Sequence, residues 1–325
     1  MKKENIKQFF PTAKLIVKKA NKTEVQEGWL IFEKEKWQIK NGIVYTPIKS
    51  KIAQAEQKAI FEIDEKPELG GSGKNVAKKD YFNALDSLPI PNNNFLFFRP
   101  GSFQNISFAE KDFQKFLKFL GAFKRKLTIL EIGADSGWAS WQIAKKDHRI
   151  FSLDINHHLE LRSHWLEKQV YFDCVQADMH QLPFDTETFD FVFAFEAIHH
   201  SYDLKKAASE IFRVLKPNGQ FIFLREPMKG KFAKDRFGKS QKELGVSENL
   251  YATKKWLDTF RKAGFGNLKI ESSDFSYQKI WLKVSLKQKV KFLLISFKKV
   301  LLKNIPILKE FFISNYNFSG TKKSI

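Results

Sequence analysis

Two aspartates, a pair of histidines and one glycine-bounded turn are the residues of this chain whose types and spacing could do chemistry. The turn, Gly133-Ala-Asp-Ser-Gly137, directly follows the apolar run Leu127–Ile132. Asp154 follows a second apolar run, Ile150–Leu153, and Asp178 comes just after a third, Tyr171–Val175. A carboxylate at the first place can accept two ribose hydroxyls, and one at the second an exocyclic amine. His199 and His200 follow a fourth run, Phe189–Phe195, and histidine is the side chain suited to moving a proton at neutral pH. Glu196 and Glu226 stand at the ends of the fourth and fifth runs, where they could orient an acceptor. A lone aspartate at a strand end is usually a helix cap, so the combination carries the information. The turn is not the dinucleotide pattern G-x-G-x-x-G, because Asp135 and Trp138 occupy two of its glycine positions, which counts against a nicotinamide or flavin enzyme.

The elements that must position these residues alternate regularly. Helical patterns run from Trp138 to Ala144, from Leu159 to Leu166 and from Leu204 to Leu215, between the apolar runs already named and a fifth, Gln220–Leu224. Strands alternating with helices imply a parallel sheet with right-handed crossovers. The spacing predicts an α/β, doubly wound domain whose ligand lies outside the carboxyl ends of the strands. Phe108, Phe113, Phe116, Leu117 and Leu120 predict a helix before the first strand, stopped at Gly121. Upstream, Gly28–Phe32, Lys36–Ile39 and Ile43–Ile48 read as short strands, with Asn41-Gly42 as a hairpin signal. Residues 1–24 read as polar and basic around the patch Leu15–Val17. Lys51–Phe61 is helix-like, residues 64–79 read as a linker, and Tyr81–Leu88 as a short helix stopped by Pro89 and Pro91.

In this arrangement of turn, acids and histidines, residues 127–226 resemble the class I S-adenosylmethionine-dependent methyltransferases of the type 11-like domain. Leu130–Gly137 looks like their first motif, with Glu131, Gly133 and Gly137 matching and Asp135 standing where the middle glycine is usual. Asp154 matches the ribose-binding acid. Ala177-Asp178-Met179 with Gln181–Phe184 matches the adenine-contacting acid and its tail. Phe189–Phe193 with Ala197-Ile-His-His200 matches the fourth strand and its loop, and Ile211–Gly219 the run before the fifth strand. The resemblance implies a Rossmann-like, seven-stranded, mostly parallel sheet with an antiparallel last strand near Phe311–Phe318 and a sixth strand at Asn267–Glu271. It implies S-adenosylmethionine as cofactor, held by Glu131, Gly133, Asp135, Gly137, Asp154, Ile155, Asp178, Met179 and Phe195, with His199 and His200 as catalytic candidates. A base is required only if the acceptor must lose a proton. Ile39–Ile48 resembles the last hairpin of the small Trm112-like, zinc-ribbon-type module that precedes some bacterial methyltransferase domains; its metal-binding cysteines are absent here. The expected organisation is a small β-rich module at 1–63, a linker with helices at 64–106 and the methyltransferase domain at 107–325.

Composition bounds the partners. A single cysteine, Cys174, excludes an intrachain disulfide framework and a cysteine-based zinc site, and no metal site is expected. The first residues lack the apolar region of a signal peptide, and no apolar run approaches the ~20 residues that span a bilayer; a cytoplasmic protein is expected. The formal charge is +20, yet residues 127–228 hold 10 Lys+Arg against 15 Asp+Glu, so the positive excess lies in the flanks. Such an excess can attract anionic lipid, nucleic acid or an acidic substrate. Lys279–Lys309, read as an insertion before the last strand, carries Lys279, Lys283, Lys287 and Lys291 every four residues beside Trp281, Val284 and Phe297. That pattern describes a basic amphipathic helix, suited to an anionic membrane surface or to capping a site. DNA is disfavoured: the Asp/Asn-Pro-Pro-aromatic motif of amino-directed enzymes is absent after the fourth strand, and Cys174 lies inside a strand. The expectation is methyl transfer to a small-molecule, lipid or glycan-precursor acceptor. An RNA or protein methyltransferase docking through the basic flanks, and a non-catalytic binding module, are the alternatives.

Overall fold

The computed structural model describes residues 1–65, 82–83, 85–89, 110–233, 243, 245–273 and 313–324, with a few single positions between 286 and 305. The linker read at 64–79 lies almost entirely outside these residues, as do Phe108 and most of the basic stretch Lys279–Lys309.

The chain opens with helix α1 (Lys3–Phe9) and four strands: β1 (Lys14–Ala20), β2 (Val25–Ile31), β3 (Lys36–Lys40) and β4 (Ile43–Tyr45). Helices α2 (Lys51–Glu65) and α3 (Glu110–Gly121) follow. The alternating part then runs β5 (Thr128–Ile132), α4 (Trp138–Ala144), β6 (Arg149–Asp154), a 3-10 turn (His157–Leu161), α5 (Arg162–Glu167), β7 (Asp173–Gln176), β8 (Phe189–Phe195), a 3-10 turn (Ile198–His200) and α6 (Leu204–Val214). It closes with β9 (Leu215–Lys229), α7 (Thr253–Lys262), β10 (Phe265–Ser272) and β11 (Ile313–Lys322).

The strands form one sheet in the order β1-β2-β3-β4-β7-β6-β5-β8-β9-β11-β10. Strands β7, β6, β5, β8 and β9 are parallel, while β11 is antiparallel to both neighbours, β9 and β10. This is the expected α/β class with its antiparallel last strand. Helices cover both faces of the central strands, so these strands are apolar throughout rather than alternating. Leu130 and Ile132 of β5 pack into one core with α6 and α7, whereas Ile129 packs into the other with Phe113, Phe116 and Leu120 of α3.

The N-terminal strands, read from sequence as a small module of their own, extend this same sheet. Strand β4 runs parallel to β7, with Ile43 paired to Cys174 and Tyr45 to Gln176. A buried ion pair fastens the join: both terminal nitrogens of Arg162, at the start of α5, donate to the carboxylate of Glu24, and its Nε donates to the Phe172 carbonyl at 3.0 Å. Below the sheet, Phe9 of α1 packs on Phe151 with ring centroids 4.4 Å apart. Residues 1–24 therefore hold α1 and β1, which the sequence reading left without structure. The reason is that β1 is almost wholly exposed and is defined by its pairing with β2.

The chain passes from β5 outward through β6 to β7, then crosses back to β8 on the other side of β5. Beyond the carboxyl ends of these strands the connections diverge and leave a crevice, the usual place for a ligand in such sheets. Among the described residues, no helix is long and apolar enough to cross a membrane.

Candidate active site

The turn after β5 is shaped by three residues with positive φ: Gly133 at 74°, Asp135 at 46° and Gly137 at 77°. Glycine is required at the first. A Cβ on Gly133 would stand 2.2 Å from the Cβ of Ala197 in the loop after β8, so the missing side chain lets two loops close on each other. The turn is tied to the next strand end by Asp154, whose Oδ2 accepts the Asp135 N–H at 2.7 Å and whose Oδ1 accepts the Asn156 N–H at 2.9 Å. Burial pushes the Asp154 carboxyl above the ordinary carboxylate range despite these two bonds.

Asp178, just beyond β7, is held more fully. Its Oδ1 accepts from the backbone N–H of His180 at 2.9 Å and from Nδ1 of the same ring at 2.6 Å, and its Oδ2 accepts from the Tyr202 hydroxyl at 2.9 Å. On the far side of the ring, Nε2 of His180 lies 2.8 Å from Ser201 Oγ and accepts the Asp203 N–H at 3.3 Å. These partners select the tautomer with hydrogen on Nδ1, aimed at Asp178. Burial works to raise Asp178, but the His180 and Tyr202 contacts outweigh it and keep the carboxyl below its usual range.

The loop after β8 separates the two histidines. Glu226, fully buried at the end of β9, accepts the backbone N–H groups of Ala197, Ile198 and His199 at 2.9 to 3.1 Å. It also accepts from His199 Nδ1 at 2.9 Å, while His199 Nε2 faces Glu248 Oε2 at 3.5 Å. Burial works against a charge on His199, yet the two carboxylates outweigh it and push the ring up to about 10. His199 is thus held between two buried carboxylates that favour its cationic form, and it is not among the residues that line the pocket described below. His200 is its opposite. Its Nδ1–H donates to the Ser247 carbonyl at 2.6 Å, and burial with the neighbouring His199 charge pushes it down to about 4. Its ring is neutral at physiological pH. Glu196 pairs with Arg225 Nε at 2.9 Å and is not among the residues that line the pocket.

Gly133, Asp154, Ile155, Asp178, Met179 and His200 line one pocket. The other sequence-derived positions lie elsewhere. Glu131 is buried beneath the turn, where it accepts from the Ser140 hydroxyl and burial pushes it up to about 8. The Asp135 carboxylate turns away to Nδ1 of His158. Gly137 backs onto the Phe172 ring, and Phe195 packs edge-on against Trp138 at 5.4 Å. These four shape the turn from behind.

Seven lining residues were not among the sequence-derived site positions: His180, Tyr202, the strand-end residues Ile132, Leu153 and Ala177 and, from α2, Ala53 and Glu56. The first two follow Asp178 and His200 by two positions, a local signal that was available. Helix α2 is legible as the helix-like stretch Lys51–Phe61, but no local signal ties it to the site. That helix is seated over the carboxyl ends by Gln57, whose side-chain amide donates to the Ile155 carbonyl at 2.7 Å, and by Phe61 against the His157 ring at 5.2 Å.

Comparison with known proteins agrees with this geometry. Residues 130–223 match the family model described as a methyltransferase domain. A sterol 24-C-methyltransferase from Aspergillus fumigatus is 29% identical over 152 residues, which is 44% of this chain and 40% of that protein. The biotin biosynthesis bifunctional protein of Saccharophagus degradans is 36% identical over 97 residues, 29% of this chain and 17% of that protein. The matched stretches thus span less than half of either relative. Among solved structures, geranyl diphosphate C-methyltransferase from Streptomyces coelicolor A3(2) shares the fold with a TM-score of 0.60 at 11% identity, over 85% of this chain and 100% of that one. Residues 130–223, which carry the turn, the two aspartates and the histidine loop, are thus a methyltransferase domain.

Proposed function

We propose that this protein transfers a methyl group from S-adenosylmethionine to a small-molecule, lipid or glycan-precursor acceptor. The observation that carries the reading is that Gly133, Asp154, Ile155, Asp178 and Met179 line one pocket at the switch point of the sheet. The residues present fit the cofactor by their chemistry. Each Asp154 oxygen accepts one backbone N–H, and a carboxylate oxygen has a further lone pair for a ribose hydroxyl. Asp178 is anchored by His180 and Tyr202 and offers its remaining acceptor capacity to an amine. Ile155 and Met179 provide apolar walls for a flat ring.

When bound, the cofactor supplies an electrophilic methyl group on a sulfonium. What this chain's own residues contribute is orientation, which can supply most of the acceleration in a transfer of this kind. Glu226 fixes the loop after β8 through three backbone bonds, so the neighbouring His200 is presented to the pocket at a set angle. With Nδ1–H given to Ser247, His200 keeps Nε2 as a lone-pair acceptor. So weak a base takes a proton only from a group that methylation has made strongly acidic, which suits an acceptor without an acidic proton of its own. The sterol 24-C-methyltransferases among the relatives support an apolar acceptor of that sort.

The test is calorimetric titration with S-adenosylmethionine, then labelled-methyl transfer in a lysate fractionated into lipid, RNA and small molecules. Asp154→Ala is expected to weaken cofactor binding at least about tenfold, the loss of a charge-assisted hydrogen-bonding group. Unchanged binding in that variant, or label entering RNA alone, would refute the reading. We also propose that the basic stretch Lys279–Lys309 meets an anionic membrane face on the cytoplasmic side. Vesicle co-sedimentation that is unchanged when Lys279, Lys283, Lys287 and Lys291 are replaced by glutamine would remove that part.

A further inference from the structure

The cofactor pocket has an unusual charge balance. Three of its lining residues are carboxylic acids, Asp154, Asp178 and Glu56, and each is more than nine-tenths buried. No lysine or arginine lines it among the described residues. The remaining titratable groups on its wall are the neutral His200, the His180 ring that donates to Asp178, and the Tyr202 phenol. Asp154 and Asp178 have structural partners that hold them in place. Glu56 differs: it comes from α2, outside the matched domain, and its Oε1 lies 3.7 Å from Nδ1 of His200. A ligand that brings positive charge is favoured among three buried acids, because buried like charges repel and a nearby opposite charge relieves them.

We propose, resting on the reading above, that Glu56 is the selectivity residue by which this pocket prefers the sulfonium cofactor to its thioether product. The two ligands differ by one methyl group and one charge. S-adenosylmethionine carries a sulfonium, an ammonium and a carboxylate, net one positive charge. S-adenosylhomocysteine lacks the sulfonium and is neutral overall. In transfer, the carbon–sulfur bond breaks, its electron pair stays on sulfur, and the acceptor takes the methyl group. The pocket then holds a neutral ligand beside three acids. Glu56 takes up a proton and the product loses its electrostatic hold.

The surroundings of Glu56 suit this exchange. Burial raises the carboxyl most, the Asp154 and Asp178 charges raise it further, and the Ser247 contacts oppose them, leaving it at about 7. It therefore sits near half-protonation at physiological pH, where a cationic ligand expels the proton and a neutral one does not.

The experiment is calorimetric titration of the full chain with S-adenosylmethionine and with S-adenosylhomocysteine, between pH 6 and pH 7.5, for the wild type and for Glu56→Gln. Buffers of different ionisation enthalpy give the protons released on binding. The wild type is expected to release about half a proton at pH 7 with the sulfonium ligand and almost none with the thioether. Its preference for the sulfonium should rise several-fold across this range, approaching about tenfold. Glu56→Gln should lose that rise and most of the preference, with thioether affinity little changed; measuring it in the same buffers cancels the ligands' own titrations. Equal proton release with both ligands, or a preference that survives in the variant, overturns the proposal while leaving the methyltransferase reading intact. No binding of either ligand to the wild type overturns both. The proton count needs no variant, so the test holds even if Glu56→Gln folds poorly.

Discussion

The buried pair between Glu24 and Arg162 decides whether the N-terminal strands are part of the catalytic fold or an appendage to it. Both side chains are about 2% exposed, and the two nitrogens of the guanidinium engage the two carboxylate oxygens. Glu24→Gln keeps the shape and removes the charge, leaving Arg162 buried opposite a neutral amide. Breaking a buried pair in this way costs about 3–5 kcal/mol. At about 2–4 °C per kcal/mol for a chain of this class, the melting temperature should fall by roughly 6–20 °C. The sign with pH follows from the carboxyl. Burial works to raise Glu24, but Arg162 outweighs it and the folded value lies below the ordinary one. Its stabilisation is therefore complete above the unfolded value of about 4.3 and is lost as pH falls through the folded value. Thermal melts of wild type and variant should differ fully at pH 7 and converge progressively in acid below pH 4. A loss under about 1 kcal/mol at pH 7, or one of equal size in acid, refutes the argument that this pair welds β4 to β7.

Two further outcomes follow from the site. Gly133→Ala adds a Cβ that would stand 2.2 Å from Ala197 at a φ of 74°, so the loop after β8 must move. Cofactor affinity by calorimetry should drop at least tenfold, roughly 1.4 kcal/mol, and unchanged affinity would show that the two loops are not in register. His199→Gln removes a cation whose folded value, about 10, is raised above the unfolded value near 6.5. The histidine's contribution is fully present below pH 6.5 and lost as pH rises through about 10. Melting curves should therefore show the variant's deficit at pH 6 and a much smaller one at pH 10; a deficit that grows in alkali would contradict the ion-pair assignment.

The central strands were legible because their chemistry is local. Phe189–Phe195 is apolar at nearly every position because helices cover both sides of the sheet, and a continuous apolar run between turn signals has few other readings. Asp154 and Asp178 were legible for a related reason: strand ends recur at a regular spacing, so an acid placed at each can be recognised without knowing what surrounds it. Strand β1 was not, since its side chains are exposed and only the pairing with β2 makes it a strand. Helix α1 buries Ile6 and Phe9 and is followed by the buried Phe10, but the pattern is too short to stand out from sequence.

The roles of the two histidines show the same division at the level of chemistry. The sequence determines that His199 and His200 follow the fourth strand. It does not determine that Glu226, 27 residues on, and Glu248 turn one into a fixed cation while Ser247 keeps the other neutral. Glu56 lies 98 residues before Asp154, and nothing in its neighbourhood along the chain marks it. Only the seating of α2 over the carboxyl ends brings it to the pocket. Periodicity and motif spacing report forces that act along the chain. Burial and charge at the site come from side chains that are distant in sequence, so the tertiary structure alone decided them.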